Sequence, residues 1–550
     1  MLKIFSKIDW AKHQDIFLIL LLILASILLN KPVGDAFWRF DDPMILKCAI
    51  EYRWWEHFII PESYHCLSAA HLTPWVTFSY AIDYNLFGLE SKFFYYHQIA
   101  SISLVSIFSF ILLRLYTNSY IAFFGILLFL VGSPVWVSSQ QLMVRHYVEG
   151  LLFSIISIYF FILSLRFQKY RYTILGCLFY ILATSAKEIY VPLLGILLFI
   201  PEGKLKERFY SALPYFIWGA IYIIWRKYML GIFIGGYHPT SDVFSYFNEN
   251  LLSSLLKFPS FILNGEYAHV VLGLLILIAF INFKRYFLLN IVSVIGLIIP
   301  LLPLFSKYQI DFRFIFFLWW SICIFLIFSY NHLILKKYLF ILMSFIMLLF
   351  FWESVEKRNE VKKELKNTIF EFEKNGLFFL KENEQKLLFL TPLLSERTWY
   401  FYYLEKLKKN IFNMNSPYLA NSFNVIWLPD DILSKETWGY DTSCKCVKHI
   451  NDDSIKKMSV NLKNKVSLEK NLSVLIKNTS NLLSWKLGTY QGVYLFVTNL
   501  GTLKIPQEHF ALYADLKLIF RIRYDSPEGW ITYSPEFTLE KNQTIDWKRP

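Results

Sequence analysis

Apolar segments long enough to cross a bilayer recur through the first 350 residues, and they constrain this chain more than any motif does. They fall near 16–30, 94–113, 120–138, 150–165, 172–186, 188–200, 210–225, 268–283, 286–304, 314–330 and 337–352. About 20 apolar residues in a helix cross roughly 30 Å of hydrocarbon, and somewhat shorter ones cross where flanking aromatics sit at the interface. The pattern predicts a polytopic α-helical membrane protein with about eleven transmembrane helices. Composition agrees: 55% of the 550 residues are hydrophobic and 18% are charged, against about 25% charged in soluble domains. A purely soluble fold is excluded, and the soluble part is confined to the last third.

The net charge of +13 does not point to nucleic acid, because the basic residues of the membrane half cluster in short loops. Arg114, residues 166–171, residues 202–209, Lys284-Arg285 and Lys336-Lys337 fall on the same side as Lys3, Lys7 and Lys12 if the spans alternate. The positive-inside rule then makes that side and the N-terminus cytoplasmic. No small-residue cleavage site precedes Asn30-Lys31-Pro32, so the first span is expected to be retained rather than removed as a signal peptide.

The other loops, near 31–93, 139–149, Lys187, 229–266 and 306–313, are expected outside the cell (inner) membrane. So is everything after about residue 353. Residues 1–352 read as a transmembrane domain and 353–411 as a solvated helical linker. Residues 412–550 read as an outer α/β or β-rich domain, because short alternating runs such as 493–497 and 518–523 are separated by Gly, Asn, Asp and Pro.

The first outer loop carries the chemistry. Asp41-Asp42-Pro43 follows the first span among aromatic residues. Pro43 suits a first helical position, which makes Asp42 the expected N-cap of a helix running to about Trp55. Asp41 is left to point into whatever cavity the loop covers. Cys48 and Cys66 share this loop, and an outer compartment permits but does not require a disulfide between them. Cys444 and Cys446 are too few ligands to define a zinc site.

Further residues resemble a known family. The acidic pair is followed by Leu72-Thr73-Pro74-Trp75, by residues 79–89, by His97, by residues 133–137, by Arg145 and by Ala186-Lys187-Glu188. Together they resemble the GT-C superfamily of membrane glycosyltransferases over roughly residues 10–330. The resemblance is greatest to bacterial relatives of protein O-mannosyltransferases and lipid A aminoarabinose transferases. It implies a GT-C-like fold, a polyprenyl-phosphate sugar donor and transfer to a cell-envelope glycan, lipid or protein. It also implies that Asp41, with Asp42 beside it, serves as base or acceptor-orienting residue.

A sugar on a lipid phosphate already has a good leaving group, so the protein must supply a base and cations for the departing phosphate. The candidate phosphate-binding residues are Arg145, Lys187, Arg313 and His97, and the candidate second acids or acceptor contacts are Glu90 and Glu188. Each has a plainer reading: Arg145 as an interfacial cation, Lys187 and Glu188 as a mutual ion pair, Arg313 paired with Asp311, His97 as structural and Glu90 as an exposed loop acid. His57, His65, His71, Glu56 and Glu62 match no tight metal-ligand spacing. The resemblance nonetheless leaves room for a divalent cation at Asp41.

Two competing classes remain. A transporter or flippase of lipid-linked glycans would place interrupted helices in two matching halves. A scaffold with a glycan-binding outer domain would need only one or two spans.

Overall fold

In the computed structural model, the described residues of the membrane half are 2–33, 37–68, 71–231 and 315–330. Beyond them lie parts of 341–359, the segments 387–390 and 418–420, residues 404, 407 and 408, and most of 436–550. The expected spans near 268–283 and 286–304, Arg313 and Cys444 lie outside the described residues. The helices, numbered among the described residues, begin with α1 (Leu2–Asn30), α2 (Asp42–Glu51), α3 (Glu56–Ile59), α4 (Pro61–His65) and α5 (Pro74–Phe87). Then come α6 (Ser91–Arg114), α7 (Ser119–Val131), α8 (Ser133–Gln140), α9 (Arg145–Phe167) and α10 (Tyr170–Ala186). Next are α11 (Leu193–Leu197), α12 (Leu205–Leu230) and α13 (Phe316–Tyr330).

Three stretches are long and apolar enough to cross a membrane, namely His13–Asn30, Ser91–Arg114 and Leu142–Phe167, and a bent pair makes up to four among the described residues. The expected total of eleven is not tested in full there, because several expected spans lie outside the described residues, and two of the others are interrupted. The segment near 120–138 is two helices, α7 and α8, bent by 57°. Pro134 lies in the first turn of α8 and supplies no N–H to the preceding turn, so the hydrogen-bond ladder is interrupted. A Cβ on Gly132 at the break would lie 2.2 Å from Trp319 Nε1, so only glycine admits the indole of α13. Trp319 Nε1 in turn donates to Phe129 O at 3.1 Å and satisfies a carbonyl at the end of α7. The segment near 188–200 is also not a continuous span: a 3-10 turn (Glu188–Tyr190) leads through Pro192 into the five-residue α11.

In lipid, apolar side chains gain little by turning inward, so packing and interhelical hydrogen bonds carry the association. Ser103 Oγ donates to Ser26 Oγ at 3.0 Å, joining α6 to α1, and Trp320 Nε1 donates to Ser109 Oγ at 2.9 Å, joining α13 to α6. At the opposite end of the bundle from the first loop, Asp15 of α1 accepts from Arg114 at 3.0 Å and from Ser119 at 2.5 Å. That clasp fixes α1, α6 and α7 at one end.

The C-terminal region begins its sheet earlier than the sequence suggests. Strand β1 (Leu387–Leu390) falls inside the stretch read as helical linker. It pairs in parallel with β2 (Tyr418–Ala420) and β3 (Glu436–Asp441), and β3 pairs antiparallel with β4 (Cys446–Ile450). Parallel neighbours need long crossovers, which is why a pattern of short local alternations did not reveal this sheet. Helix α14 (Asp452–Lys465) follows.

Two antiparallel sheets complete the region. One has the order β13-β5-β6-β9 and the other β11-β10-β7-β8 with β12 on β10. In chain order the strands are β5 (Ser473–Thr479), β6 (Leu482–Leu487), β7 (Val493–Thr498), β8 (Gly501–Ile505) and β9 (Glu508–Leu512). They end with β10 (Leu518–Asp525), β11 (Ile531–Tyr533), β12 (Phe537–Leu539) and β13 (Thr544–Lys548). Val474 and Ile476 of one sheet share a core with Phe520, Ile522 and Tyr524 of the other. The period of two in those buried positions is what a half-buried strand requires.

The C-terminal region docks on the end of the bundle where α1 finishes. Leu404 and Leu407 are fully buried in one cluster with Val33, Trp38 and Leu46, and Trp438 and Val447 pack against it. Arg358, in the run read as a solvated linker, is buried. It donates to Leu29 O at 3.3 Å and Leu130 O at 2.9 Å, with its guanidinium 5.1 Å from the Trp136 ring. A cation at the C-terminal ends of two helices meets their unsatisfied carbonyls and negative dipole ends. Arg358→Met orphans both carbonyls and is expected to destabilise the protein by roughly 1–3 kcal/mol, read as a lower unfolding midpoint in detergent; an unchanged midpoint rejects the clasp.

Candidate active site

The acidic pair sits in a turn whose geometry is fixed from several sides. Phe40 has φ 50°, a left-handed conformation that costs a non-glycine residue energy and persists only where the surroundings enforce it. Asp42 N donates to Arg39 O at 2.9 Å, and Arg39 N donates to Asp42 Oδ2 at 2.8 Å, so the turn from 39 to 42 is closed in both directions.

Helix α2 starts at Asp42, with Asp41 in the N-cap position and its side chain making no cap bond. The structure thus shifts the expected cap by one residue. Asp42 does not cap the helix that follows, because its carboxylate turns back to the Arg39 amide. Ile45 N reaches Asp41 O at 3.0 Å instead.

The two acids have different environments. Asp41 is exposed, whereas Asp42 is 1% exposed. The second Asp42 oxygen accepts from Tyr80 of α5 at 2.9 Å. Burial pushes the Asp42 carboxyl up to about 7, against the opposing effects of the Arg39 amide and the Tyr80 hydroxyl. Burial, followed by the Asp42 charge, holds the Tyr80 phenol well above its ordinary value.

Arg39 was not among the residues singled out from sequence, yet it is 3% exposed beside this turn. Its Nε donates to Tyr95 at 3.3 Å, and its guanidinium also bonds Gln140 O. Tyr95 donates to Phe37 O at 3.1 Å. The loop is therefore tied to both α6 and α8.

A second cluster adjoins the first through Tyr80. Arg145, the first residue of α9, is 0% exposed, and its guanidinium lies 5.0 Å from the Tyr80 ring. It donates to Asp83 Oδ2 at 2.6 Å, Ser79 Oγ at 3.2 Å and Phe94 O at 2.7 Å. His97 lies between two carboxylates, with Nδ1 2.7 Å from Asp83 and Nε2 3.3 Å from Glu149. Glu149, one turn along α9 from Arg145, also accepts from Trp75 at 2.7 Å and Ser79 at 2.8 Å. Arg145 thus directs its charge at Asp83 within the fold and is not an interfacial cation.

Asp83 and Glu149 were missed from sequence. A carboxylate one helical turn from an arginine is the signal that points to Glu149. Nothing local marks Asp83.

Lys187 and Glu188 do not form the pair their adjacency suggests. Lys187 is buried with Nζ 5.1 Å from the Tyr147 ring. Glu188 instead meets Arg226 of α12, accepts from Leu72 N at 2.7 Å and lies 3.5 Å from His71 Nδ1. Glu90 is 65% exposed and sits 3.7 Å from Lys92. Asp42, Arg145 and His97 are thus connected through Tyr80 and Asp83, whereas Lys187 and Glu188 make contacts of their own.

Cys48 and Cys66 form a disulfide that ties α2 to the segment after α4. His57 Nε2 faces Cys48 O at 3.1 Å, while His71 faces Glu188, so the two histidines serve different parts of the loop. Among the described residues no group of three or more His, Cys, Asp or Glu is placed to hold a metal ion.

No protein-family model matches the chain, and no curated protein matches it. Among solved structures it is similar to ArnT from Cupriavidus metallidurans, in a crystal structure bound to undecaprenyl phosphate. The identity is 11%, over 77% of this chain and 93% of that one, with a TM-score of 0.46.

The Asp42 carboxyl gives a pH signature. Its folded value of about 7 lies above the ordinary 3.8, so between those limits the folded state binds more protons than the unfolded one. The slope of stability against pH is then negative, and stability falls as pH rises from about 4 toward 7. Thermal unfolding of the protein across that window should show the decline, and Asp42→Asn should flatten it. An identical slope in the variant would assign the dependence elsewhere.

Proposed function

We propose that this chain is a membrane glycosyltransferase that moves a sugar from a polyprenyl-phosphate donor to a cell-envelope glycan, lipid or protein on the outer face. The observation that carries the proposal is the closed acidic turn directly after the first span. One carboxylate, Asp41, is exposed. Its neighbour Asp42 is buried and held by Tyr80 and the Arg39 amide. That division holds the turn in place around an exposed acid.

In this reading Asp41 takes the proton from the acceptor hydroxyl or amine. The acceptor atom bonds to the anomeric carbon as the bond to the lipid phosphate oxygen breaks, and the phosphate leaves with the electron pair. Attack opposite the leaving group inverts the anomeric carbon. Lys187, and Arg313, which lies outside the described residues, neutralise the departing phosphate. Arg145 and His97 act by holding α5, α6 and α9 around the site, and Glu188 orients Arg226. The acidic turn and the C-terminal region then face outward, with the lysine-rich N-terminus in the cytoplasm.

The test is transfer by the purified protein in detergent with a polyprenyl-phosphate sugar and envelope extract as acceptor. Asp41→Asn keeps the side-chain shape and removes the base, so transfer should fall by roughly 10²–10⁴-fold with an unchanged unfolding midpoint. Near-wild-type transfer would remove Asp41 from the mechanism.

A second reading has one observation in its favour. The 57° break between α7 and α8 is the kind of discontinuity that transporters place at a transit site. A flippase redistributes labelled donor lipid between vesicle leaflets and makes no new glycosidic bond. Product formation in detergent, where there are no two sides, decides for the enzyme.

A further inference from the structure

The β-sandwich carries a cleft of about 640 Å³ between the C-terminal end of α14 and the turn joining β10 to β11. Asn464, Lys465 and Ser467 line one wall, and Glu528, Gly529 and Trp530 line the other. The volume lies within the range of small-molecule sites. It is well separated in sequence from every residue of the acidic turn.

The two walls are fixed to each other. Val466 bridges Ile531 in parallel, and Ser467 N donates to Ile531 O at 2.8 Å. The turn is closed by Ser526 N to Trp530 O at 2.9 Å and Gly529 N to Ser526 O at 3.0 Å, with Gly529 at φ 93°. A residue with a Cβ rarely adopts that backbone, so glycine is required there for conformation.

The Trp530 ring is oriented in advance. Its Nε1 donates to Glu528 Oε2 at 2.9 Å, and its ring packs on Tyr524 at 5.2 Å and edge-on to Tyr490 at 6.1 Å. A braced indole beside an amide, a hydroxyl, a carboxylate and an ammonium combines an apolar plate with a polar rim. A pyranose ring has the complementary form, with an apolar C–H face and a rim of hydroxyls that both donate and accept. The lining contributes one cation, Lys465, and one anion, Glu528, whose charges cancel, which favours a neutral saccharide over an anionic one.

We propose that this cleft is a binding site for a short neutral oligosaccharide, with Trp530 as the stacking platform and Asn464, Lys465 and Glu528 as hydroxyl contacts. The site works as a glycan anchor separate from the acidic turn, and it stands whether or not the chain transfers a sugar.

The experiment is isothermal titration of the full-length protein in detergent with maltohexaose, cellohexaose and mannohexaose, and with an oligogalacturonate as the anionic control. At least one neutral hexasaccharide should bind. Trp530→Ala should weaken it at least about tenfold, as expected for loss of an aromatic anchor, while Trp530→Phe retains most of the affinity. Should the alanine variant fail to fold, Asn464→Ala on the exposed rim decides, with a several-fold loss expected. Absence of binding by all three neutral probes, a preference for the anionic control, or unchanged affinity in Trp530→Ala, or in Asn464→Ala where Trp530→Ala does not fold, overturns the proposal.

Discussion

The buried ion pair between Arg145 and Asp83, at 2.6 Å, is the interaction on which the rest of the candidate site depends. A guanidinium with no solvent exposure has lost its hydration, and the fold must replace it with charge and hydrogen bonds. Asp83, Ser79 and the Phe94 carbonyl do so, and they come from α5 and α6 while Arg145 itself opens α9. Helix α5 is thereby pinned to two spans. Because Tyr80 on the same helix donates to Asp42, the position of the acidic turn follows from that pin.

His97 and Glu149 extend the network. His97 lies against both buried carboxylates, 2.7 Å from Asp83 and 3.3 Å from Glu149. Trp75 and Ser79 add neutral donors to Glu149. A buried polar network of this kind rigidifies its surroundings, because each member constrains the others. Through Tyr80 that rigidity reaches the acidic turn.

The C-terminal region is part of the same assembly through Arg358, Leu404 and Leu407, which bury themselves against the helix ends and the first loop. The broken span contributes as well. Trp319 fills the space that Gly132 leaves and satisfies the Phe129 carbonyl, while Arg358 covers Leu130 one residue further on. The discontinuity is therefore held by side chains from two distant segments.

The sequence by itself determined that the chain carries helices apolar enough to cross a bilayer, that an acidic pair follows the first of them, and that its end is rich in short strands. Those features are local: they depend on run length, on Pro43 after two acids and on alternation. Tertiary structure decided the rest. It made Asp42 a buried, hydrogen-bonded acid and left its neighbour exposed, because Tyr80 arrives from 38 residues away.

It also turned Arg145 inward and separated Lys187 from Glu188, because Asp83 and Arg226 reach those positions from other helices. It broke the 120–138 segment where Trp319 fits. Each of these outcomes rests on a partner distant in sequence, and burial rather than residue type sets the energy of a charge.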